Sequence, residues 1–371
     1  MVLLIAVLIL FLAYAILLLF YGAQFHSIPS TPLTTPSVYP GFSIVIPARN
    51  EQESLPALLG SLLSQEYPKD RFEIIVVDDH STDETAGIAS SFPGIIVIAA
   101  GEPKGNAYKK QAISDGIRQA KFEWIVATDA DCIANPQWLN CLAVLIEKKD
   151  PRFIAAPVQF NSNNSILGIF QEMDFMVLQA ITAVVVSREQ MSMCNGANIA
   201  YQKQAFYEAG GFDGIDQLAS GDDMLLMYRI WKKFPGKVQY LKQEQAIIET
   251  QAPKSWSAFF KQRIRWSSKA RHYQDKRILP VLFLVYLLNC CFPVLLIASL
   301  LNSYYWKYFF ALWLAKTLAE WPLFMGAARF FKRRSLIPLF FFFQPIHIMY
   351  TLISGSLGQW GEYEWKGRRV S

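Results

Sequence analysis

Glu123-Trp-Ile-Val-Ala-Thr-Asp-Ala-Asp131 decides the fold: an apolar, β-branched run closes on two carboxylates one residue apart. A buried strand that delivers acids at its C-terminal end belongs to an α/β sheet, whose ligands gather beyond the carboxyl ends of the strands. Similar runs surround it. Strands are expected at 43–47, 73–78, 95–99, 124–128, 153–157 and 246–250, with helical stretches between most of them, so the sheet is mostly parallel and covered on both faces. No internal repeat is visible.

The residues just after these strands are unusually polar. The first strand ends in Pro47-Ala-Arg-Asn-Glu51, which makes Pro47, Arg49, Asn50 and Glu51 candidates for a ligand site; the second ends in Asp78-Asp79, and the fourth in Asp129-Ala-Asp131. Asp78 and Asp79 can accept hydrogen bonds from a base or a ribose, or can merely favour the next helix, whose start Ser81 and Asp83 would cap. Asp129 and Asp131 point the same way if the backbone stays extended, and two like charges side by side are relieved by Mg²⁺ or Mn²⁺. The plainer reading is an acidic turn before the helix at Asn135-Pro136. No Gly-x-Gly-x-x-Gly follows the first strand and no Gly-x-x-x-x-Gly-Lys-Ser/Thr occurs, against a dinucleotide enzyme and against a P-loop NTPase.

Further along, Lys104-Gly-Asn-Ala107 places a lysine on a Gly-containing turn where it can reach a phosphate. Ser220-Gly-Asp-Asp223 opens a helical stretch, where aspartates are commonly caps. The small residues of Cys194-Asn-Gly-Ala-Asn-Ile-Ala-Tyr201 and Gly210-Gly-Phe-Asp213 resemble a pocket wall that admits a ligand. Asp223 is the candidate general base. Residues 254–273 read as an amphipathic helix with an apolar stripe of Trp256, Phe259, Phe260 and Ile264, while Gln262, Arg265 and Trp266 share an adjacent face. One face suits lipid headgroups; the other can close over a diphosphate.

The 371 residues are 53% hydrophobic, too unevenly spread for one soluble core. Residues 2–21 carry no charge and match a bilayer's hydrocarbon thickness at 1.5 Å per residue. With no basic n-region and no Ala-x-Ala site, a retained anchor is expected rather than a cleaved signal peptide. Three more apolar stretches cover about 278–301, 308–331 and 336–357. In the second, Lys316 and Glu320 are spaced to pair inside a bundle; Pro345 and His347 interrupt the third, which could be re-entrant. Basic residues before the second stretch and at Lys332-Arg-Arg334 place the central domain in the cytosol, although a strict four-span topology would put Lys366-Gly-Arg-Arg369 outside. The domains expected are an anchor at 1–22, a Pro/Ser/Thr-rich linker at 23–40, a catalytic domain at 41–253, the interfacial helix at 254–277, two or three membrane segments at 278–358 and a basic tail at 359–371.

The five cysteines show no metal-ligand spacing, and the net charge of +5 gathers beside the membrane, which favours anionic lipid over nucleic acid as a partner. Taken together, the chain resembles the membrane-bound family 2 glycosyltransferases through Ser43-Ile-Val-Ile-Pro47, Val77-Asp-Asp-His-Ser-Thr-Asp83, Lys104-Gly-Asn-Ala107, Asp129-Ala-Asp131, Gly210-Gly-Phe-Asp213, Gly221-Asp-Asp223 and Gln262-Arg-Ile-Arg-Trp266.

The resemblance implies a nucleotide-sugar-binding, Rossmann-like fold of the GT-A type and the transfer of a sugar. Asp78 and Asp79 would hold the base and ribose of a nucleotide sugar, most often a UDP-sugar, with Lys104 near the donor. Asp129 and Asp131 would be the metal pair, Asp131 the direct ligand. Asp223 matches the aspartate of a Thr-Glu-Asp motif and would be the base; Gly221-Asp222 replaces Thr-Glu, so Asp222 stays an alternative. Gln262, Arg265 and Trp266 match the Gln-x-x-Arg-Trp motif at donor and acceptor. The expected activity is inverting transfer to a membrane lipid at a bacterial inner membrane. The alternatives are a processive polysaccharide synthase and an inactive sugar-nucleotide sensor.

Overall fold

The computed structural model describes residues 2–371 except 33, 104, 106, 217, 219, 220, 270–272, 359–362, 366, 367 and 371, with the backbone alone at 363–365 and 368–370. The chain begins with α1 (Val2–Ser27), β1 (Phe42–Ala48), α2 (Leu55–Leu63), β2 (Phe72–Asp78), α3 (Thr85–Ser91), β3 (Ile95–Ala99) and α4 (Tyr108–Gln119). It continues with β4 (Trp124–Ala127), β5 (Cys132–Ala134), α5 (Trp138–Lys149), β6 (Phe153–Ala155), β7 (Val158–Asn161), α6 (Ile166–Ser187), β8 (Ile199–Gln202) and α7 (Lys203–Glu208). Then follow α8 (Met224–Lys233), β9 (Val238–Tyr240), β10 (Ile248–Gln251), α9 (Trp256–Ser268), α10 (Ile278–Leu301), α11 (Trp306–Phe330) and α12 (Phe340–Leu357).

The chain divides into two compact units. The sheet unit comprises residues 29–161 and 185–251 with the last residues of the chain. Its seven-stranded sheet runs β3-β2-β1-β4-β8-β6-β9. β3, β2, β1 and β4 are mutually parallel, whereas β8 lies antiparallel to both β4 and β6. The core is β-branched: Ile44, Val45 and Ile46 of β1, Ile75, Val76 and Val77 of β2, and Ile125 and Val126 of β4 are all wholly buried. Strands buried on both faces read as continuous apolar runs, which is why these were visible in the sequence. Each of the six expected strands begins within two residues of an observed one, but the last, β10, belongs to a separate three-stranded sheet, β5-β10-β7. The short strands β5, β7, β8 and β9, three or four residues each, were not expected. They are too brief to show a period.

Residues between α1 and β1 are tied to the sheet unit: Thr31 N donates to Lys242 O at 3.1 Å, Ser37 N to Glu147 Oε2 at 3.0 Å and the Tyr67 hydroxyl to Pro40 O at 2.7 Å.

The helical unit gathers residues 1–28, 162–184 and 252–363. Among the described residues, four helical stretches are long and apolar enough to cross a membrane: Val2–Ser27, Ile166–Ser187, Ile278–Leu301 and Arg334–Leu357. The second of these was not foreseen, and it carries two acids that are both paired. Glu172 meets Arg333 at 3.1 Å and Asp174 meets Arg263 at 2.8 Å. Helix α11 carries the expected Lys316–Glu320 pair at 2.6 Å, within a larger set. Lys316 also donates to Gln344 of α12, Gln344 donates to Glu320, both at 2.6 Å, and the Tyr14 hydroxyl of α1 donates to Glu320. A buried charge persists in apolar surroundings only when partnered this fully, so the set registers three helices against one another. Pro345 sits inside α12 without ending it. The side chains of the basic tail lie outside the described residues.

Candidate active site

The order of the parallel strands fixes where a ligand can bind. β2 and β4 flank β1 on opposite sides, so the chain's progress across the sheet reverses beside β1, and such a switch point opens a crevice beyond the strand ends. Residues 47–51, 78–79 and 129–131 all lie at this end.

At the β1–β2 edge the two loops are laced together. Arg49 Nη1 donates to the carbonyls of Asp79 and His80, each at 2.9 Å; Asn50, at φ 52°, accepts from Thr82 N at 2.8 Å; and Glu51 N donates to Thr85 Oγ1 at 2.8 Å. Asp79 is 2% exposed, its amide bonded to Ala48 O at 2.8 Å and its carboxylate 3.2 Å from His80 Nδ1. Asp78 Oδ2 accepts from Ser81 N at 3.3 Å, while its Oδ1 is buried with no hydrogen-bond partner. A buried carboxylate oxygen without a donor is costly. It has the capacity to accept a hydrogen bond from an N–H or O–H.

At the β4 end the strand stops at Ala127 and a turn follows, so the extended backbone on which a shared direction of Asp129 and Asp131 depends is not present. Asp131 Oδ2 accepts from Thr250 Oγ1 of β10 at 3.2 Å. Burial, together with the charges of Asp129 and Glu51, pushes the Asp131 carboxyl up to about 6. Asp129 is held by a residue the sequence reading passed over: Lys109 Nζ lies 2.6 Å from Asp129 Oδ1 and 3.4 Å from Asp222 Oδ2. Burial works against the lysine's charge, but Asp129, Asp222 and Asp223 outweigh it and hold the ammonium above the usual lysine range. Lys104, the lysine expected near the donor, lies outside the described residues. A signal for Lys109 was present. Lys109 and Lys110 occupy the first turn of α4, where the helix dipole disfavours cations and where both therefore need specific acceptors.

Asp222 and Asp223 are each 8% exposed. Gly221 precedes them at φ 82°, a conformation that only glycine adopts without strain. Asp223 caps α8 by accepting from Met224 N at 2.7 Å, and its second oxygen accepts from Gly196 N at 3.1 Å. The residue is thus a cap, and the two amides fix the orientation of its carboxylate. Each oxygen keeps a second lone pair for a proton. Gly196 is the other residue the sequence reading undervalued. A Cβ there would lie 3.3 Å from Asp222 Oδ2 and 3.6 Å from Lys109 Nζ. Gly196→Val should therefore displace the Lys109–Asp222 pair and lower activity about tenfold or more, with a smaller loss for Gly196→Ala. Initial rates of the two variants check this.

Gln262, Arg265 and Trp266 belong to the helical unit. Gln262 Oε1 is buried and has no hydrogen-bond partner. Trp266 stacks under the guanidinium of Arg263, 4.4 Å from its ring centroid, and lies 6.0 Å from the Phe175 ring.

Among the described residues no three His, Cys, Asp or Glu side chains form a ready metal cage. The chemistry of the acidic set still fits a hard cation: Glu51, Asp129 and Asp131 concentrate negative charge, and Mg²⁺ or Mn²⁺ needs only one or two carboxylates when a diphosphate supplies further oxygens.

Residues 43–210 match the profile of glycosyl transferase family 2. That span takes in all three strand ends and Lys109 but stops short of Asp222 and Asp223. The poly-β-1,6-N-acetyl-D-glucosamine synthase of Staphylococcus epidermidis is 26% identical over 232 residues, 61% of this chain and 54% of that protein. The probable glycosyltransferase YdaM of Bacillus subtilis is 25% identical over 241 residues, 62% of this chain and 54% of that protein. The chain thus spans about half the length of these relatives. In fold it is similar to the mannosyltransferase PcManGT of Pyrobaculum calidifontis, solved with GDP-Man and Mn²⁺, at a TM-score of 0.60 and 17% identity over 97% of this chain and 98% of that one.

Proposed function

Since the chain belongs to glycosyl transferase family 2 by its residues 43–210, we propose that it moves one sugar from a nucleotide sugar, a UDP-sugar for preference, to a lipid acceptor at the membrane. The observation that carries the lipid reading is the placement of the Gln262/Arg265/Trp266 helix. α9 is part of the unit built from the long apolar helices, where Phe259 packs with Phe170 and Leu167 of α6 and against Tyr350 of α12. A motif built into a membrane-embedded bundle receives its acceptor from the bilayer.

In this reading Asp78 accepts a hydrogen bond from the base or ribose through its unpartnered Oδ1, with Asp79 beside it. Asp131 and Asp129 would hold Mg²⁺ or Mn²⁺. When bound, the cation offsets charge on the departing diphosphate. Asp223, aimed by the amides of Gly196 and Met224, takes the proton of the attacking hydroxyl. Asp222 is engaged by Lys109, which leaves one base and no carboxylate nucleophile, the pattern of a single displacement with inversion. Gln262, Arg265 and Trp266, in the helical unit, are the residues proposed to receive the acceptor. The helices of the other unit cross a bacterial inner membrane several times, and the basic segments before α10 and after α11 face the cytosol.

Lipids extracted from cells carrying wild type or Asp131→Ala and compared by mass should differ by one species, a known lipid plus one hexose, present only with the active chain. Chelation of divalent ions should stop transfer by purified protein and Mn²⁺ or Mg²⁺ should restore it. A second reading, processive synthesis of a polysaccharide, is favoured by the Staphylococcus relative. Long polymer made by purified protein from nucleotide sugar alone would select it and remove the lipid reading.

A further inference from the structure

Lys109 stands where a resident cation is needed. It reaches from the first turn of α4 to Asp129, at 2.6 Å, and to Asp222, at 3.4 Å, so a single ammonium bridges the carboxylate assigned to the metal and the acidic pair assigned to the base. The side chain is 22% exposed, and a Cβ at Gly196 would lie 3.6 Å from its ammonium, so glycine at 196 leaves the ammonium space to move off Asp129. Among the described residues, the partners of the Asp131 carboxylate are the hydroxyl of Thr250 and the thiol of Cys132.

From this geometry we propose that Lys109 is a built-in counter-cation that competes with the divalent metal for Asp129. It holds the acids together when no metal is bound and weakens metal binding until a nucleotide diphosphate adds its own oxygens. The inference rests on the metal reading of the preceding subsection. It adds an order to that reading: metal and donor enter together. A monovalent and a divalent cation on one carboxylate repel each other strongly at such separations, so the ammonium must leave Asp129 before the metal occupies it. The diphosphate of the donor is the anion next to the site that could receive it.

The test is direct titration of the purified full-length chain with Mn²⁺ in the absence of nucleotide, following the electron paramagnetic resonance signal of free Mn²⁺. Lys109→Gln, which keeps length and loses charge, should bind Mn²⁺ about tenfold more tightly than wild type. Lys109→Arg, which keeps the charge, should stay close to wild type. Without metal, Lys109→Gln should melt at a lower temperature than wild type, and Mn²⁺ should recover the difference. Equal or weaker Mn²⁺ binding by Lys109→Gln overturns the competition while leaving metal dependence standing. No Mn²⁺ uptake by either protein, combined with transfer that chelators do not stop, overturns the metal reading and this inference with it.

Discussion

Asp223→Asn should lower the transfer rate by about 10²- to 10⁴-fold while the chain keeps its fold, the range expected when a positioned base is lost. The asparagine retains one acceptor oxygen for the amide of Met224 or of Gly196, so the α8 cap is weakened by only about 1 kcal/mol. Rates at saturating donor and acceptor, beside a melting curve, separate the two effects. Full activity in Asp223→Asn together with loss in Asp222→Asn would exchange the two roles. In that case Lys109 would be a partner of the base rather than its neighbour.

Arg263→Ala should destabilise the helical unit by about 3–5 kcal/mol, as should Asp174→Ala, because each leaves the other charge buried without its ion partner. Arg263 and Asp174 are 2.8 Å apart with side chains 4% and 8% exposed. Their surroundings are aromatic: the guanidinium lies 4.4 Å from the Trp266 centroid, 5.1 Å from that of Phe259 and 5.8 Å from that of Tyr350, and the Tyr350 hydroxyl donates to Asp174 at 2.6 Å. The pair therefore joins α6, α9 and α12 through the helix that carries Gln262, Arg265 and Trp266. Double substitution by apolar residues of similar volume should recover much of the loss, and thermal unfolding in detergent reads both results. Recovery of stability without recovery of activity would show that Arg263 also sets the orientation of Trp266.

The apolar stripe expected on α9 illustrates the limits of periodicity. Phe259 does face the interior, but so does Arg263, which the 3.6-residue pattern assigns no special place and whose buried partners lie on two other helices. Similarly, the long apolar helix at Ile166–Ser187 is hidden in the sequence, because Glu172 and Asp174 break its hydropathy and only their partners Arg333 and Arg263 make those charges tolerable. Asp131, by contrast, is legible in the sequence as an acid just beyond a strand.

The amino-acid sequence determined the acidic strand ends, the parallel half of the sheet and most of the apolar helices, since run length, β-branching and the residues that stop a strand are local properties of the chain. Tertiary structure alone decided which charges meet. Lys109 on Asp129 and Asp222, Gly196 against that pair, Thr250 on Asp131 and Arg263 on Asp174 join residues from different elements. Such pairings follow from how strands and helices stack, and a charged side chain carries no mark in sequence of the partner that burial will require of it.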